Sequence, residues 1–143
     1  MKENNADLQM HGIYAGGVSK NMLIPIMAEQ SRLKGLDVLV TADVIHGKWM
    51  EHLKQNIIET ENNVFMDKGE KTFFIVGGEV EDNKRVHHLV YLPDMNAAEQ
   101  LREKLRGFGI LDCVMCGRPK LHLSAESIAE KVDEVGGIIG PAH

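Results

Sequence analysis

Leu36-Asp37-Val38-Leu39-Val40-Thr41 is a short apolar run, and Asp43 and His46 follow it after Ala42. Its length and its content of Val and Leu predict a buried strand. Residues 47–60 then predict a helix, because apolar side chains recur there at i, i+4 spacing along one face. The two polar residues therefore lie in the loop that joins a strand to a helix.

Strand and helix signals alternate on both sides of this unit. Residues 6–11 predict a first strand, and residues 22–34 predict a helix that Gly35 ends. Asn96 is expected to cap a third helix, with Glu99 completing a capping box. A last helix over residues 125–135 leads to a final strand that begins at Ile138. This order predicts an α/β fold.

The middle of the chain has a different pattern. Three apolar runs, within residues 64–66, 72–76 and 85–92, are separated by short polar turns. Short connections between strands are typical of hairpins. We therefore expect a mixed-strand segment, partly antiparallel, inside the α/β fold.

Length, composition and charge limit the class of protein. The chain has 143 residues, 43% apolar content and a net charge of −5. No apolar run is long enough to span a bilayer, and two cysteines make no disulfide framework, so we expect one cytoplasmic domain with no membrane partner. The acidic balance argues against coating nucleic acid by bulk electrostatics, although a local basic patch remains compatible with it.

Four ionisable residues recur at or just past the predicted strand ends: His11, Asp43, Glu79 and His143. Because the carboxyl ends of parallel strands meet at one face, these side chains are expected to share a cavity and to bind metal ions. For Asp43 the competing interpretation is a helix cap, and His46 can simply cover the start of its helix. Glu79 is the stronger candidate, since a carboxylate in an apolar, glycine-flanked strand is costly unless it is paired or bound to metal.

His87 and His88 are neighbours on one predicted strand, so their side chains point to opposite faces. At most one of them can face the cavity. His52 and His122 are both expected at the surface.

Several segments, in this order, resemble the amino-terminal part of PHP-domain phosphoesterases of the endonuclease Q type. They are residues 7–22 with Ser19-Lys20-Asn21-Met22, Lys34-Gly35-Leu36-Asp37-Val38, Lys48-Trp49, Glu79-Val80-Glu81-Asp82, Arg85-Val86-His87-His88-Leu89, Gly117-Arg118-Pro119, Leu123-Ser124-Ala125-Glu126 and Gly136-Gly137-Ile138-Ile139-Gly140-Pro141-Ala142-His143.

The resemblance implies a distorted β/α barrel whose metal ions activate water to cut DNA on the 5′ side of deaminated bases. It implies Zn, Mn or Mg as cofactor and DNA as partner. Glu79 and Asp43 match catalytic positions, and the basic residues of the matching segments are expected to contact nucleic acid. The implied metal ligands are His11, Asp43, His46, Glu79 and His143, with His88 a weaker candidate, and the implied nucleic-acid contacts are Lys20, Lys48 and Arg118.

Two features depart from the family pattern. Gln9 stands where the family's His-x-His motif begins, and a neutral amide is a poor zinc ligand. A complete barrel needs roughly 200 residues or more, so residues 1–143 are expected to form a single truncated PHP-like domain, an incomplete TIM-like barrel. Its open edge predicts a homo-oligomer or a missing carboxyl-terminal region. The alternative function is a degenerate, non-catalytic binding or assembly module.

Cys113-Val114-Met115-Cys116 supports a different hypothesis. A CxxC pair can be redox-active or form half of a zinc site, but there is no second CxxC and no thioredoxin context. Two ordinary thiols are the expected state.

Overall fold

The structure, a computed structural model, describes residues 3–115 and 117–143. This part of the chain forms eight strands, four α-helices and one short 3-10 turn. Their bounds are β1 Ala6–Asp7, α1 Ile24–Leu33, β2 Val38–Val40, α2 Gly47–Asn56, β3 Ile57–Glu59, the 3-10 turn Glu61–Asn63, β4 Phe65–Asp67, β5 Phe73–Ile75, β6 Gly77–Glu81, β7 His87–Tyr91, α3 Met95–Leu105, α4 Ala125–Asp133 and β8 Ile138–Pro141. None of the described helices is long and apolar enough to cross a bilayer.

The strands form two sheets of mixed character. The first has the order β1-β2-β5-β4-β3, with β1, β2 and β5 parallel and the pairs β5–β4 and β4–β3 antiparallel. The second has the order β6-β7-β8 and is antiparallel throughout. The predicted α/β class and its hairpin-rich middle segment are therefore confirmed.

The two sheets join at Thr41, directly after β2. Its backbone N–H donates to the carbonyl of Ile75 at 2.8 Å, and its Oγ1 is hydrogen-bonded to both the carbonyl and the N–H of Gly77. A Cβ atom on Gly77 would lie 2.6 Å from the carbonyl oxygen of Val90, so a side chain has no room there. The chain thus passes from β5 into β6 through Val76 without a loop.

Trp49 fixes the loop that follows β2. Its indole is fully buried, and its Nε1–H donates to the carbonyls of Thr41 and Ala42, both at 2.9 Å. Leu53, one turn further along α2, is also fully buried. Judging from large-to-small substitutions, a buried tryptophan of this kind contributes about 3–5 kcal/mol. The predicted apolar face of α2 therefore both builds the core and positions the site loop.

Two predicted elements are shorter than expected. The first strand ends at Asp7 rather than residue 11, because the Asp7 carboxylate accepts the N–H of Gln9 and turns the chain. The second helix ends at Asn56 rather than residue 60. The β-branched pair Ile57-Ile58 instead starts β3, which pairs with β4.

The cap of α3 is also different from the prediction. Asp94, not Asn96, precedes the helix, and its Oδ1 accepts the N–H of Ala97 at 2.7 Å. Ser124 caps α4 as expected, accepting the N–H of Ser127. Both aspartate and asparagine suit an N-cap, so residue type alone did not separate the two candidates.

Candidate metal centre

The loop after β2 places Asp43 in an unusual backbone conformation. Ala42 and Asp43 have φ angles of 59° and 33°, and both residues are buried. Such angles cost a non-glycine residue about 1–3 kcal/mol each and are seen mostly where function requires them. The result is that the Asp43 carboxylate turns toward the amino-terminal segment, where Oδ1 lies 2.8 Å from Nδ1 of His11 and Oδ2 accepts the N–H of Gly12 at 2.7 Å.

Glu79 occupies the centre of β6, a strand in which every residue is buried, and only 3% of Glu79 is exposed. Its Oε2 lies 3.4 Å from Nε2 of His11. Its Oε1 lies 3.0 Å from Nδ1 of His87 and 3.5 Å from Nη1 of Arg118. The buried carboxylate is therefore surrounded by cationic or potentially cationic groups, which offsets its desolvation.

His11 bridges the two carboxylates, with one ring nitrogen near Asp43 and the other near Glu79. The hydrogen bond that His11 donates to the Asp43 carboxylate raises the pKa of His11, and this effect exceeds the opposing effect of burial. The negative charges of Asp43 and Glu79 also favour the imidazolium electrostatically. His11 is thus biased toward its charged form.

His87 faces the same cluster, and sequence reasoning did not select it. In the β6–β7 ladder Glu81 pairs with His87, and the alternation of side chains puts Glu79, Glu81 and His87 on one face. Nε2 of His87 lies 3.2 Å from Oε2 of Glu81. The signal that could have found it is Glu79-Val80-Glu81, whose two carboxylates share a face and call for a cationic or metal partner.

His88 points the other way. It is buried, and its Nε2 lies 3.0 Å from Oδ2 of Asp82. The same Asp82 carboxylate accepts the N–H groups of Lys84 and Val86 and so closes the β6–β7 turn. The hydrogen bond from His88 lowers the pKa of Asp82. His88 is therefore placed with the turn and not with the cluster around Glu79.

His143 completes a group that can hold a metal ion. Among the described residues, ligand atoms of Glu79, His87 and His143 lie within 4.8 Å of one another. Nδ1 of His87 lies 3.3 Å from Nε2 of His143 and 3.0 Å from the Glu79 carboxylate. A tetrahedral zinc ion with bonds of about 2.0–2.1 Å keeps neighbouring ligand atoms roughly 3.3–3.4 Å apart. Two imidazoles and one carboxylate at this spacing fit zinc, and the same donors also suit manganese.

His46 lies apart from that group. Its Nδ1 accepts the N–H of Trp49 at 3.4 Å as the N-cap of α2, and its ring stacks on Tyr14 at 4.4 Å. Burial lowers the pKa of His46, which keeps the ring neutral. Its Nε2 is buried and has no hydrogen-bond partner among the described residues. The geometry is that of a helix cap, the alternative interpretation of the sequence.

Four further residues were considered in the sequence analysis as metal ligands or nucleic-acid contacts: Gln9, Lys20, Lys48 and Arg118. The side chain of Gln9 is exposed, as are those of Lys20 and Lys48. Arg118 instead lines a cavity of about 240 Å³ together with His11, Lys120 and the backbone around Gly16. Of the three basic residues predicted to contact nucleic acid, Arg118 is therefore the one that the structure brings to the carboxylates.

Two further predictions concern side chains outside this cluster. His52 was expected at the surface, but it is half-buried, stacks on Trp49 and accepts the N–H of Ile24 through Nε2. His122 is exposed, as expected. Cys116 lies outside the described residues. Cys113 is not a free thiol, so the expectation of an ordinary thiol at that position is wrong.

Known proteins resemble this chain over nearly its whole length. The lesion-specific endonuclease PfuEndoQ of Pyrococcus furiosus superimposes with a TM-score of 0.90 at 38% identity, covering 98% of this chain and 34% of that one. Endonuclease Q bound to a 27-mer duplex, with an abasic lesion at its active site, gives a TM-score of 0.88 at 38% identity over 96% of this chain and 34% of that one.

An uncharacterized protein of Methanocaldococcus jannaschii is 36% identical over 139 residues, which is 97% of this chain and 16% of that protein. No protein-family model matches the chain. The chain thus spans about a third or less of each protein that it resembles. The predicted resemblance to endonuclease Q is confirmed, over a region that corresponds to about one third of that enzyme.

Proposed function

We propose that this chain is the metal-binding part of a DNA-incising phosphoesterase of the endonuclease Q type. The observation that carries the proposal is the group Glu79, His87 and His143, whose donor atoms are spaced for a divalent metal ion. Its support from known proteins is the close match to an endonuclease Q structure that contains duplex DNA. DNA with a damaged or deaminated base is the proposed substrate.

The residues of the cluster have separate proposed roles. Glu79, His87 and His143 would hold one metal ion, and His11, which lies 3.4 Å from Glu79 and 2.8 Å from Asp43, would contribute to a second position. When bound, such ions lower the pKa of a water molecule and neutralise charge on the phosphate. Asp43 orients His11 through its hydrogen bond to Nδ1, as a carboxylate commonly orients a metal-binding imidazole.

We also propose that the two sheets are part of a PHP-type barrel wall. Two contacts support this. Thr41 connects β2 to the start of β6, and the hydroxyl of Tyr91 on β7 donates to the carbonyl of Leu8, just past β1. Strands from both sheets therefore lie next to each other, as neighbouring strands of a partial barrel do.

A second candidate function is a non-catalytic binding module, and one observation favours it. Arg118 lies within 3.5 Å of Glu79 and 3.4 Å of Glu81, so the protein itself supplies a cationic partner to both carboxylates. Because Arg118 neutralises these carboxylates, the site can be stable in a protein that has no catalytic activity.

Metal analysis combined with an incision assay separates the two functions. Purified protein would be assayed on duplexes that carry uracil, hypoxanthine or an abasic site, with Mn²⁺, Mg²⁺ or Zn²⁺ added. An incising enzyme should retain at least about one equivalent of metal and cleave next to the lesion. Sub-stoichiometric metal together with uncut DNA would leave the binding module as the function.

A further inference from the structure

Arg118 and His87 contact the same two carboxylate oxygens. Oε1 of Glu79 lies 3.0 Å from Nδ1 of His87 and 3.5 Å from Nη1 of Arg118. Oε2 of Glu81 lies 3.2 Å from Nε2 of His87 and 3.4 Å from Nε of Arg118. The guanidinium and the imidazole therefore share the same pair of carboxylates.

The backbone keeps Arg118 in this place. The segment after it pairs with β6, since the N–H of Glu81 donates to the carbonyl of Pro119 and the N–H of Leu121 donates to the carbonyl of Glu81. The side chain of Arg118 is 29% exposed, and Arg118 lines the cavity together with Lys120. Its Nε is buried without a hydrogen-bond partner among the described residues. Part of the guanidinium thus already faces the cavity and is incompletely satisfied by the carboxylates.

A divalent ion on Glu79, His87 and His143 would change the balance of charge at Arg118. The metal would compete with the guanidinium for Oε1 of Glu79 and would repel it, because both are cations. Lys120 lines the same cavity, so a guanidinium that turns away from Glu79 meets a second cation there. Two cations in one cavity need an anion between them, and the planar guanidinium fork suits a phosphate group.

We propose that Arg118 exchanges partners when metal binds, and this inference depends on the proposed metal site. In the metal-free protein its guanidinium neutralises Glu79 and Glu81. In the metal-bound protein it leaves Glu79 and, with Lys120, binds a backbone phosphate of DNA. Metal binding and DNA binding are then thermodynamically coupled, and each raises the affinity for the other.

The first test compares metal affinity in four proteins that have been stripped of metal with a chelator. Mn²⁺ is titrated calorimetrically into the wild type, Arg118→Gln, Arg118→Lys and the surface control Arg106→Gln, whose guanidinium pairs with Glu103. Removing the competing guanidinium should tighten Mn²⁺ binding in Arg118→Gln by roughly fivefold or more. Arg118→Lys should be intermediate, because one ammonium cannot contact both carboxylates as a fork does. Arg106→Gln should match the wild type.

The second test measures DNA binding by fluorescence anisotropy with and without Mn²⁺. The wild type should bind duplex DNA more tightly when Mn²⁺ is present, and Arg118→Gln should lose this metal-dependent gain. Lys120→Gln should weaken DNA binding while leaving Mn²⁺ affinity close to that of the wild type.

The outcomes distinguish this inference from the function on which it depends. If the wild type binds Mn²⁺ and Arg118→Gln binds it equally or more weakly, the proposed exchange of Arg118 partners is wrong. The proposed metal site is still supported in that case. If none of the proteins binds metal, both are wrong. Should Arg118→Gln fail to fold, Arg118→Lys decides, since exchange requires it to bind Mn²⁺ more tightly than the wild type.

Discussion

Gly117 packs directly against the carboxylate of Asp43. A Cβ atom at position 117 would lie 2.5 Å from Oδ2 and 2.6 Å from Cγ of Asp43, which is closer than nonbonded atoms approach. The same carboxylate is hydrogen-bonded to His11 and to the N–H of Gly12. The absence of a side chain at Gly117 is therefore what lets Asp43 reach the amino-terminal segment.

Substituting Gly117→Ala should displace Asp43 and destabilise the protein. We expect a loss of about 1–3 kcal/mol, the usual cost of an added methyl group in a packed site. Urea denaturation measures it. Gly140→Ala is the matched control, because a Cβ atom there meets nothing within 4 Å. Equal stability of the two variants would show that the site loop tolerates the methyl group.

Replacing Glu79 with glutamine should weaken the proposed metal binding while leaving the size of the side chain nearly unchanged. An amide carries no charge, so we expect Mn²⁺ affinity to fall at least roughly tenfold. Glu51→Gln, on the exposed face of α2, should behave as the wild type. Calorimetric titration measures the affinity, and circular dichroism checks the fold. Retention of wild-type affinity by Glu79→Gln would exclude this carboxylate as a ligand.

His52 should make stability depend on pH. Burial lowers the pKa of His52 below its ordinary value of 6.5, so the unfolded state binds more protons than the folded state between these two values. The contribution of His52 to stability is therefore complete above pH 6.5 and is lost as the pH falls through the folded pKa. Protonation would also remove the lone pair that accepts the N–H of Ile24.

The test for His52 is the difference in unfolding free energy between the wild type and His52→Gln, measured from pH 5 to pH 8. Glutamine keeps an acceptor but does not titrate. The wild type should lose stability relative to the variant as the pH falls below 6.5. A difference that is constant over the whole range would show that the His52 pKa is not lowered.

Asp94→Ala should destabilise α3, whereas Asn96→Ala should not. Asp94 accepts the N–H of Ala97, while Asn96 is an exposed residue inside the first turn. Loss of an N-cap costs about 1 kcal/mol, and an exposed substitution to alanine within a helix costs little. Thermal unfolding compares the two variants. A larger loss from Asn96→Ala would support the capping box predicted from the sequence.

We expect the chain to self-associate through one face of the first sheet. Ile58, Met66, Phe73 and Val38 lie in register across four strands, and Phe73 is 42% exposed. An apolar row beside an open sheet edge favours pairing with a second copy. Size-exclusion chromatography with light scattering should show a dimer that Phe73→Glu dissociates. Leu33→Glu, at an exposed position on α1, is the control. A wild-type monomer at high concentration would contradict the prediction.

Local patterns were enough to predict most elements of the fold. The i, i+4 apolar face of α2 correctly predicted that Trp49 and Leu53 lie in the core. Ser124 was correctly predicted to cap α4. These signals depend on residues within one or two turns of each other. They were less reliable where two local preferences compete, as at Ile57, where a helical face meets a β-branched pair that starts β3.

The candidate site was only partly accessible from the sequence. Asp43, Glu79 and His11 could be selected because each follows or interrupts an apolar run, and the structure brings the three together. His87 could not be selected, and Arg118 was expected only as a contact to nucleic acid and not as a partner of the carboxylates. The choice between His87 and His88 depends on strand register, and the position of Arg118 depends on the pairing of its segment with β6.

Most of the elements and the candidate ionisable residues could be predicted from the sequence, because apolar periodicity and capping residues are local properties of the chain. Which of those residues share a site depends on tertiary packing. Strand register places His87 beside Glu79 and Glu81 and places His88 beside Asp82. The strained backbone of the loop at Asp43 turns the Asp43 carboxylate toward His11. The contacts of His87 and His88 depend on strand register, and the contact between His11 and Asp43 joins residues 32 positions apart, so their geometry depends on how the strands and loops pack.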